Sequence, residues 1–168
     1  MNLRDTLCIK NGRLNIGGCD TVELAKKFGT PLYVLDEAYV REVMRAYKDG
    51  LSDYGKFAVA YASKALSCLA MYQIVNEEGL WTDVVSGGEL YATQQAGVDP
   101  KHIIMHGNNK TPKEMKEGVS IGVGHIVVDG IDEIDRLDKI AGELGKKATV
   151  LIRVNPLVEA HTHAAVQT

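Results

Sequence analysis

One lysine stands near the end of an apolar, strand-like stretch, residues 57–65 (FAVAYASKA). Because strand side chains alternate between faces, Lys64 shares one face with alanines, while Phe57 and Tyr61 share the bulkier face. In a parallel β/α barrel, a face of alanines leaves space in the interior, at the strand ends where catalytic groups lie. A partly desolvated amine there loses proton affinity and can attack an aldehyde carbon to form a Schiff base. The alternative from pattern alone is a solvated lysine at a strand end.

The framework that must position this lysine is an alternation of strand-like runs with segments of helical spacing. The runs begin near positions 31, 57, 81, 102, 125 and 148, so they recur every 21 to 26 residues. In order, they read PLYVLD, FAVAYAS, WTDVVS, HIIMHG, HIVVDG and ATVLIRVN. Such βαβα order predicts parallel strands, in either an open doubly wound sheet or a closed (β/α)₈ barrel.

The barrel is the better of these two α/β architectures. A dinucleotide-binding sheet needs a glycine-rich turn after its first strand, but residues 37–40 read EAYV. A complete barrel takes about 250 residues for eight units. This chain has 168 residues, six predicted strands and no helical segment after the sixth. We therefore expect a partial (β/α)₈ TIM barrel, the N-terminal part of a longer chain.

The first residues follow a different rhythm from the rest. Residues 8–16 (CIKNGRLNI) alternate around Asn11-Gly12, a pair that tolerates positive φ at both centres of a type I′ turn. We predict a β-hairpin there. The expected organisation is a hairpin and linker helix over residues 1–29, followed by the truncated barrel over residues 30–168.

Several helix starts are also legible. Thr111 and Glu114 have the spacing of a capping box, with a proline at the first helical position between them. Asp36 and Asp129 follow predicted strands, and we expect each to cap the next helix through its side chain. These caps predict where each loop after a strand ends and the next helix begins.

Composition restricts the classes of partner. The formal net charge is −3 without a block of Lys and Arg, so neither nucleic acid nor an anionic membrane is expected as a partner. No apolar run is long enough to span a bilayer and MNLRDTLCIK has no signal-peptide core, which predicts a cytoplasmic protein. Three scattered cysteines form no metal motif, and His161 and His163 have no third ligand at a usual spacing, so we expect no metal site.

Four segments, taken together, carry a family resemblance. Residues 61–65 (YASKA) resemble the Y-A-x-K-A signature of fold type III pyridoxal-phosphate enzymes. Residues 83–90 (DVVSGGEL), 106–111 (HGNNKT) and 153–156 (RVNP), the last followed by HTH and QT, extend the likeness. In this order and at strand ends, they resemble diaminopimelate decarboxylases from about residue 30 to the end of the chain.

The resemblance implies pyridoxal 5'-phosphate as cofactor, bound covalently by Lys64 with Ala62 beside it. It places Asp83 near the lysine and the cofactor ring, where a carboxylate could help set the charge of the amine. It also implies that Arg153 faces the cofactor side of the barrel. The alternatives are a turn residue for Asp83 and a cation that snorkels from a strand end for Arg153.

Two further residues are candidates for the same site. His106 begins a loop at the end of the fourth run and could line the pocket, or be an ordinary loop histidine. Glu89 could take part in catalysis, but its position three residues after Ser86 is also explained by a capping box.

The implied activity is decarboxylation of the amino acid meso-2,6-diaminopimelate to L-lysine, with the cofactor as electron sink. The family's phosphate loop, ring-stacking histidine and carboxylate at the pyridine nitrogen lie further along the chain. The N-terminal hairpin would belong to a missing C-terminal β domain. Because these groups are missing, we expect little activity from this piece alone. The resemblance also implies a homodimer for the full-length protein. The alternatives are a non-catalytic pyridoxal-phosphate homeostasis barrel, or an ornithine or arginine decarboxylase of the same fold.

Overall fold

A computed structural model describes residues 6–155 of the chain. The chain divides into two compact units, Met1–Val59 and Ala60–Thr168. The predicted domain boundary at residues 29 and 30 stays a prediction, because compactness alone does not define a domain.

The first unit begins with the predicted hairpin, which is confirmed. Strands β1 (Leu7–Lys10) and β2 (Arg13–Ile16) pair antiparallel, with Cys8 opposite Asn15. Asn11 and Gly12 take φ values of 53° and 73°, the positive values that a two-residue type I′ turn requires. A short third strand, β3 (Cys19–Asp20), pairs with β2.

Two helices complete the first unit, α1 (Thr21–Phe28) and α2 (Glu37–Gly50). The side chain of Asp36 accepts a hydrogen bond from the backbone N–H of Tyr39, so the predicted cap of α2 is confirmed. The run PLYVLD, predicted to be a barrel strand, is not a strand in the structure. Its residues are apolar, but a strand needs a hydrogen-bonding neighbour, and neither sheet includes this run.

The second unit contains a five-stranded parallel sheet in which the strands follow chain order. The strands are β4 (Ala60–Ala62), β5 (Trp81–Val84), β6 (Ile103–Met105), β7 (His125–Val128) and β8 (Val150–Ile152). This sheet confirms the α/β fold and the partial barrel, with five strands where six were predicted.

Four helices connect these strands and cover one face of the sheet. They are α3 (Leu69–Glu77), α4 (Gly87–Gln95), α5 (Pro112–Ile121) and α6 (Ile131–Leu144). The buried core joins Val84, Met105 and Ile126 of the strands to Leu90 and Met115 of the helices. Burial of each such side chain stabilises the fold by about 1.5–3 kcal/mol.

The opposite face of the sheet carries the predicted site. Ala62 and Asp83 are register partners on β4 and β5. They alternate with the core-facing residues and are only partly buried. The sequence rhythm therefore separates a helix-covered core from a face with small and polar side chains.

Candidate functional site

A cavity of about 560 Å³ lies at the C-terminal ends of the parallel strands. Its lining comprises Ala62, Lys64, Asp83, Val85, His106, Gly107, Asn108, Asn109 and Arg153. Five of the six predicted site residues are therefore brought together, and Glu89 is the one that does not line the cavity. Parallel strands end at the same edge, so short loops from β4, β5, β6 and β8 meet there.

Lys64 lies in a single 3₁₀ turn, Ser63–Ala65, that follows β4. The turn is fixed by Ser63, which is fully buried, and by the hydroxyl of Tyr61, which donates to the carbonyl of Leu66 at 3.1 Å. Lys64 itself is exposed. The expectation of an enclosed, desolvated amine is therefore not met, because in the described part of the chain the sheet is open and β4 is its edge strand.

Asp83 and His106 form the first pair of polar side chains in the cavity. His106 Nδ1 lies 3.5 Å from Asp83 Oδ2. Burial raises the pKa of the Asp83 carboxyl, and the nearby His106 and Lys64 oppose that rise. The other oxygen, Oδ1, is buried and accepts no hydrogen bond from the described residues. This oxygen is thus an acceptor that none of the described residues satisfies.

Arg153 and Asp129 form the second pair of polar side chains. Arg153 follows β8, donates its backbone N–H to Val128, and places its guanidinium 2.8 Å from Asp129 Oδ1. The predicted helix cap at Asp129 is wrong, since α6 is capped by Gly130 without a side-chain bond. Strand alternation places Asp129 on the same face as Val127. On that face the Asp129 carboxylate accepts the hydrogen bond of Arg153. That alternation is the signal that could have identified Asp129.

Glu89 acts on the backbone at the start of α4. Its carboxylate accepts the N–H of Val85 at 2.6 Å, while Ser86 Oγ accepts the N–H of Glu89 at 3.2 Å. The N–H of Gly87 donates to Glu114 at 2.8 Å. Three amides at this helix start are thus already bound to protein acceptors, which argues against an anion site there. Capping explains the contacts of Glu89, and its catalytic part stays a prediction.

The loop between β6 and α5 is held against the end of β5. Gly107 has a φ of 106°, and a Cβ at this position would meet the carbonyl oxygen of Val85 at 3.1 Å. Lys110 Nζ donates to the carbonyl of Gly107 at 2.5 Å and lies 3.0 Å from Glu133. Sequence reasoning assigned no role to Lys110 or Glu133, although Lys110 belongs to the HGNNKT segment.

The start of α5 was predicted correctly. Thr111 and Glu114 form the reciprocal bonds of a capping box, with a proline in the first turn.

Within residues 6–155 there is no group of three or more His, Cys, Asp or Glu that could hold a metal ion. His161 and His163 lie outside the described residues. Every helix in the described range is too short or too polar to cross a bilayer.

The cavity suits an aldehyde cofactor of the pyridoxal type. Its lining includes an exposed primary amine, a carboxylate with one buried oxygen that has no partner among residues 6–155, and a guanidinium on the same side of the sheet. The close approach of Gly107 to Val85 leaves the lining free of a side chain at that point. With the parallel sheet, these features fit a pyridoxal phosphate site at the strand ends of a β/α fold.

The chain belongs to the pyridoxal-dependent decarboxylases: residues 38–168 match the pyridoxal binding domain of that family. The diaminopimelate decarboxylase of Halalkalibacterium halodurans is 51% identical over 158 residues, which cover 94% of this chain. The corresponding protein of Bacillus subtilis is 48% identical over 160 residues, which cover 95% of this chain. This chain spans 36% of the length of both relatives.

A solved structure agrees with these sequence matches. The diaminopimelate decarboxylase of M. jannaschii, in complex with L-lysine, aligns with a TM-score of 0.84 and 39% identity. The alignment covers 97% of this chain and 39% of that one. The resemblance predicted from the four motifs is therefore confirmed.

Proposed function

We propose that this chain is the cofactor-bearing part of an enzyme that decarboxylates meso-2,6-diaminopimelate to L-lysine. The observation that carries the proposal is that the side chains of Lys64 and Asp83 line one cavity at the ends of β4 and β5. Relatives at 51% and 48% identity with diaminopimelate decarboxylase in their names support this substrate. The structure with L-lysine supports an amino-acid ligand.

Pyridoxal 5'-phosphate, when bound, supplies the electron sink for loss of CO₂. In this proposal, Lys64 Nζ would hold the cofactor through its aldehyde carbon. Ala62 leaves space beside the amine. Asp83 places a carboxyl group next to the amine, with the His106 ring beside it, and Arg153 places a fixed cation at the same end of the sheet.

The remaining parts of the proposal concern the whole protein. A homodimer and a cytoplasmic location are inferred from the family resemblance and the sequence. Because the chain spans 36% of its curated relatives, turnover depends on groups that these relatives carry elsewhere. We therefore expect the 168-residue chain alone to release little or no CO₂ from meso-diaminopimelate.

The test uses the longest natural polypeptide that contains this sequence. The protein is mixed with pyridoxal 5'-phosphate, reduced with borohydride and digested, and mass spectrometry locates the label. We expect the label on Lys64, none in Lys64→Ala, and an unchanged yield in Lys101→Ala, whose exposed lysine precedes β6 at the other end of the sheet. A label on another lysine would contradict the proposed role of Lys64.

Substrate class is measured separately from cofactor attachment. CO₂ release is compared for meso-diaminopimelate, ornithine and arginine, as kcat/KM. We expect meso-diaminopimelate to be preferred by about 10⁴-fold, because a site that hydrogen-bonds a substrate group rejects analogues that lack this group by that much or more. Labelling of Lys64 without CO₂ release from any of the three would favour a cofactor-binding protein and overturn the enzyme assignment.

A further inference from the structure

Behind the cavity, Lys110 and Glu133 form an almost fully buried ion pair. Their side chains are 2% and 5% exposed, and Lys110 Nζ lies 3.0 Å from Glu133 Oε1. Neither residue lines the cavity. A buried ion pair is costly to desolvate, and apolar replacements are often equally stable, so stability alone does not account for it.

Lys110 fixes one side of the cavity. Its Nζ donates to the carbonyl of Gly107, at 2.5 Å. Gly107 directly follows His106, whose ring faces Asp83. Gly107 also lies close to the backbone of Val85. The loop is therefore held by a backbone contact with the end of β5 and by the ammonium of Lys110. His106 itself donates its backbone N–H to the carbonyl of Val84 at 2.7 Å. Lys110 therefore restrains the residue that follows His106, and with it the path of the loop.

Glu133 fixes the other side. Its second oxygen, Oε2, accepts the backbone N–H of Asp129 at 2.8 Å. The side chain of Asp129 in turn binds Arg153, at 2.8 Å. Glu133 lies in the first turn of α6, so this helix anchors the residue that orients the guanidinium. The Lys110–Glu133 pair therefore contacts two parts of the site. Lys110 bonds the residue after His106, and Glu133 bonds Asp129, the partner of Arg153.

We propose that the Lys110–Glu133 pair is a positioning element that sets His106 and Arg153 relative to each other for cofactor binding. The inference rests on the proposed function, since it assigns these residues to the site that holds pyridoxal 5'-phosphate. Lys110 acts through the loop of residues 106–109, and Glu133 acts through Asp129. Neither residue touches the cofactor.

The test separates positioning from folding. Lys110→Met leaves a buried carboxylate without its cation and is expected to lower the melting temperature. The double variant Lys110→Met/Glu133→Gln has no buried charge, and its amide oxygen still accepts from Asp129. Because the bond to Asp129 is kept, only the loop of residues 106–109 is released. We expect the variant to melt near the parent temperature, yet to bind pyridoxal 5'-phosphate about 10-fold more weakly, because the released loop must be ordered again on binding.

Binding is measured by titration with pyridoxal 5'-phosphate, from the absorbance of the bound cofactor, together with the fraction of Lys64 trapped by borohydride. Arg136→Met is the control, since it breaks an exposed pair with Asp132 on the outside of α6 and should bind like the parent. A double variant that binds like the parent would overturn the inference, as would one no more stable than Lys110→Met. Failure of the parent to label Lys64 would instead refute the proposed function and, with it, this inference.

Discussion

Two pairs of polar side chains, Asp83–His106 and Asp129–Arg153, face the same cavity but lie in different environments. Arg153 and Asp129 are 36% and 27% exposed, so water screens their attraction, and such a pair contributes about 1 kcal/mol or less to folding. The main effect of the Arg153–Asp129 pair is to hold the guanidinium in position at the cavity. Asp83 is less exposed, at 22%, and one of its oxygens accepts no bond from the described residues. At the scale of single residues, burial therefore affects the protonation of Asp83.

The pKa of Asp83 predicts a pH dependence of stability. Burial raises this pKa above the ordinary value of 3.8, so the folded state holds the proton more tightly than the unfolded chain. The stabilisation is fully present below the unfolded pKa and is lost as the pH rises through the folded pKa. Asp83→Asn does not titrate, and we expect its stability relative to the parent to increase across that window, up to neutral pH.

The measurement is the free energy of unfolding by denaturant titration of parent and Asp83→Asn, in the longest natural polypeptide that contains this sequence. The surface variant Asp135→Asn on α6 provides the baseline for loss of one carboxylate. A relative stability of Asp83→Asn that falls as the pH rises would show that His106 and Lys64 outweigh burial at this site.

The candidate site was predictable from the sequence only where chemistry is local. Lys64, Asp83 and His106 stand in motifs or at strand ends, and each reaches the cavity. Asp129 was misread because an aspartate after a strand is a common helix cap. Its actual partner, Arg153, is 24 residues away, and only the pairing of β7 with β8 brings the two together.

At the scale of elements, the cavity depends on where helices start. Glu114 accepts hydrogen bonds from the N–H groups of Thr111 and Gly87, at 2.9 and 2.8 Å. These bonds lower the pKa of Glu114, so the carboxylate stays charged and joins the N-termini of α4 and α5. The loops between these helices and their strands are thereby fixed at one edge of the cavity.

Gly124, the residue directly before β7, has no room for a side chain. A Cβ on Gly124 would lie 2.1 Å from the carbonyl oxygen of Lys101, and the Gly124 N–H donates to Pro100 at 2.8 Å. Because the clash is with backbone, β6 and β7 would have to separate. We expect Gly124→Ala to lower the free energy of unfolding by about 3 kcal/mol or more, as measured by denaturant titration.

Gly142→Ala is the matched control for this change. Gly142 lies inside α6, and a Cβ there meets nothing within 4 Å. Alanine at a helix interior is favoured over glycine by about 1 kcal/mol. A Gly124→Ala variant as stable as Gly142→Ala would mean that the strands tolerate a wider separation than the structure indicates.

Element prediction succeeded where local turn chemistry decides the structure. Asn11-Gly12 specifies a hairpin turn, and Thr111 with Glu114 specifies a helix start, without help from distant residues. Residues 31–36 have the composition of a strand but no pairing partner in either sheet. Pairing is a tertiary property, which is why composition alone predicted one strand too many.

At the scale of the whole molecule, the described parallel sheet is open. The barrel was predicted from βαβα order and spacing, which recur regularly along the chain. Closure cannot be predicted from that order, because it depends on which strands pair across the two edges. In the described residues, β4 and β8 each pair with a single neighbour. The burial of Lys64 was overestimated for the same reason.

The open edge at β8 predicts self-association of a polypeptide made of these 168 residues alone. Val150, Leu151 and Ile152 are 44%, 44% and 68% exposed, and an apolar edge strand is a template for pairing with another chain. We expect oligomers in size-exclusion chromatography with light scattering, and a larger monomer fraction for Leu151→Lys, because a charge on an edge strand opposes pairing. Ile131→Lys, at an exposed position on α6, should leave the oligomers unchanged. A parent chain that elutes as a monomer at all concentrations would show that this edge is protected in solution.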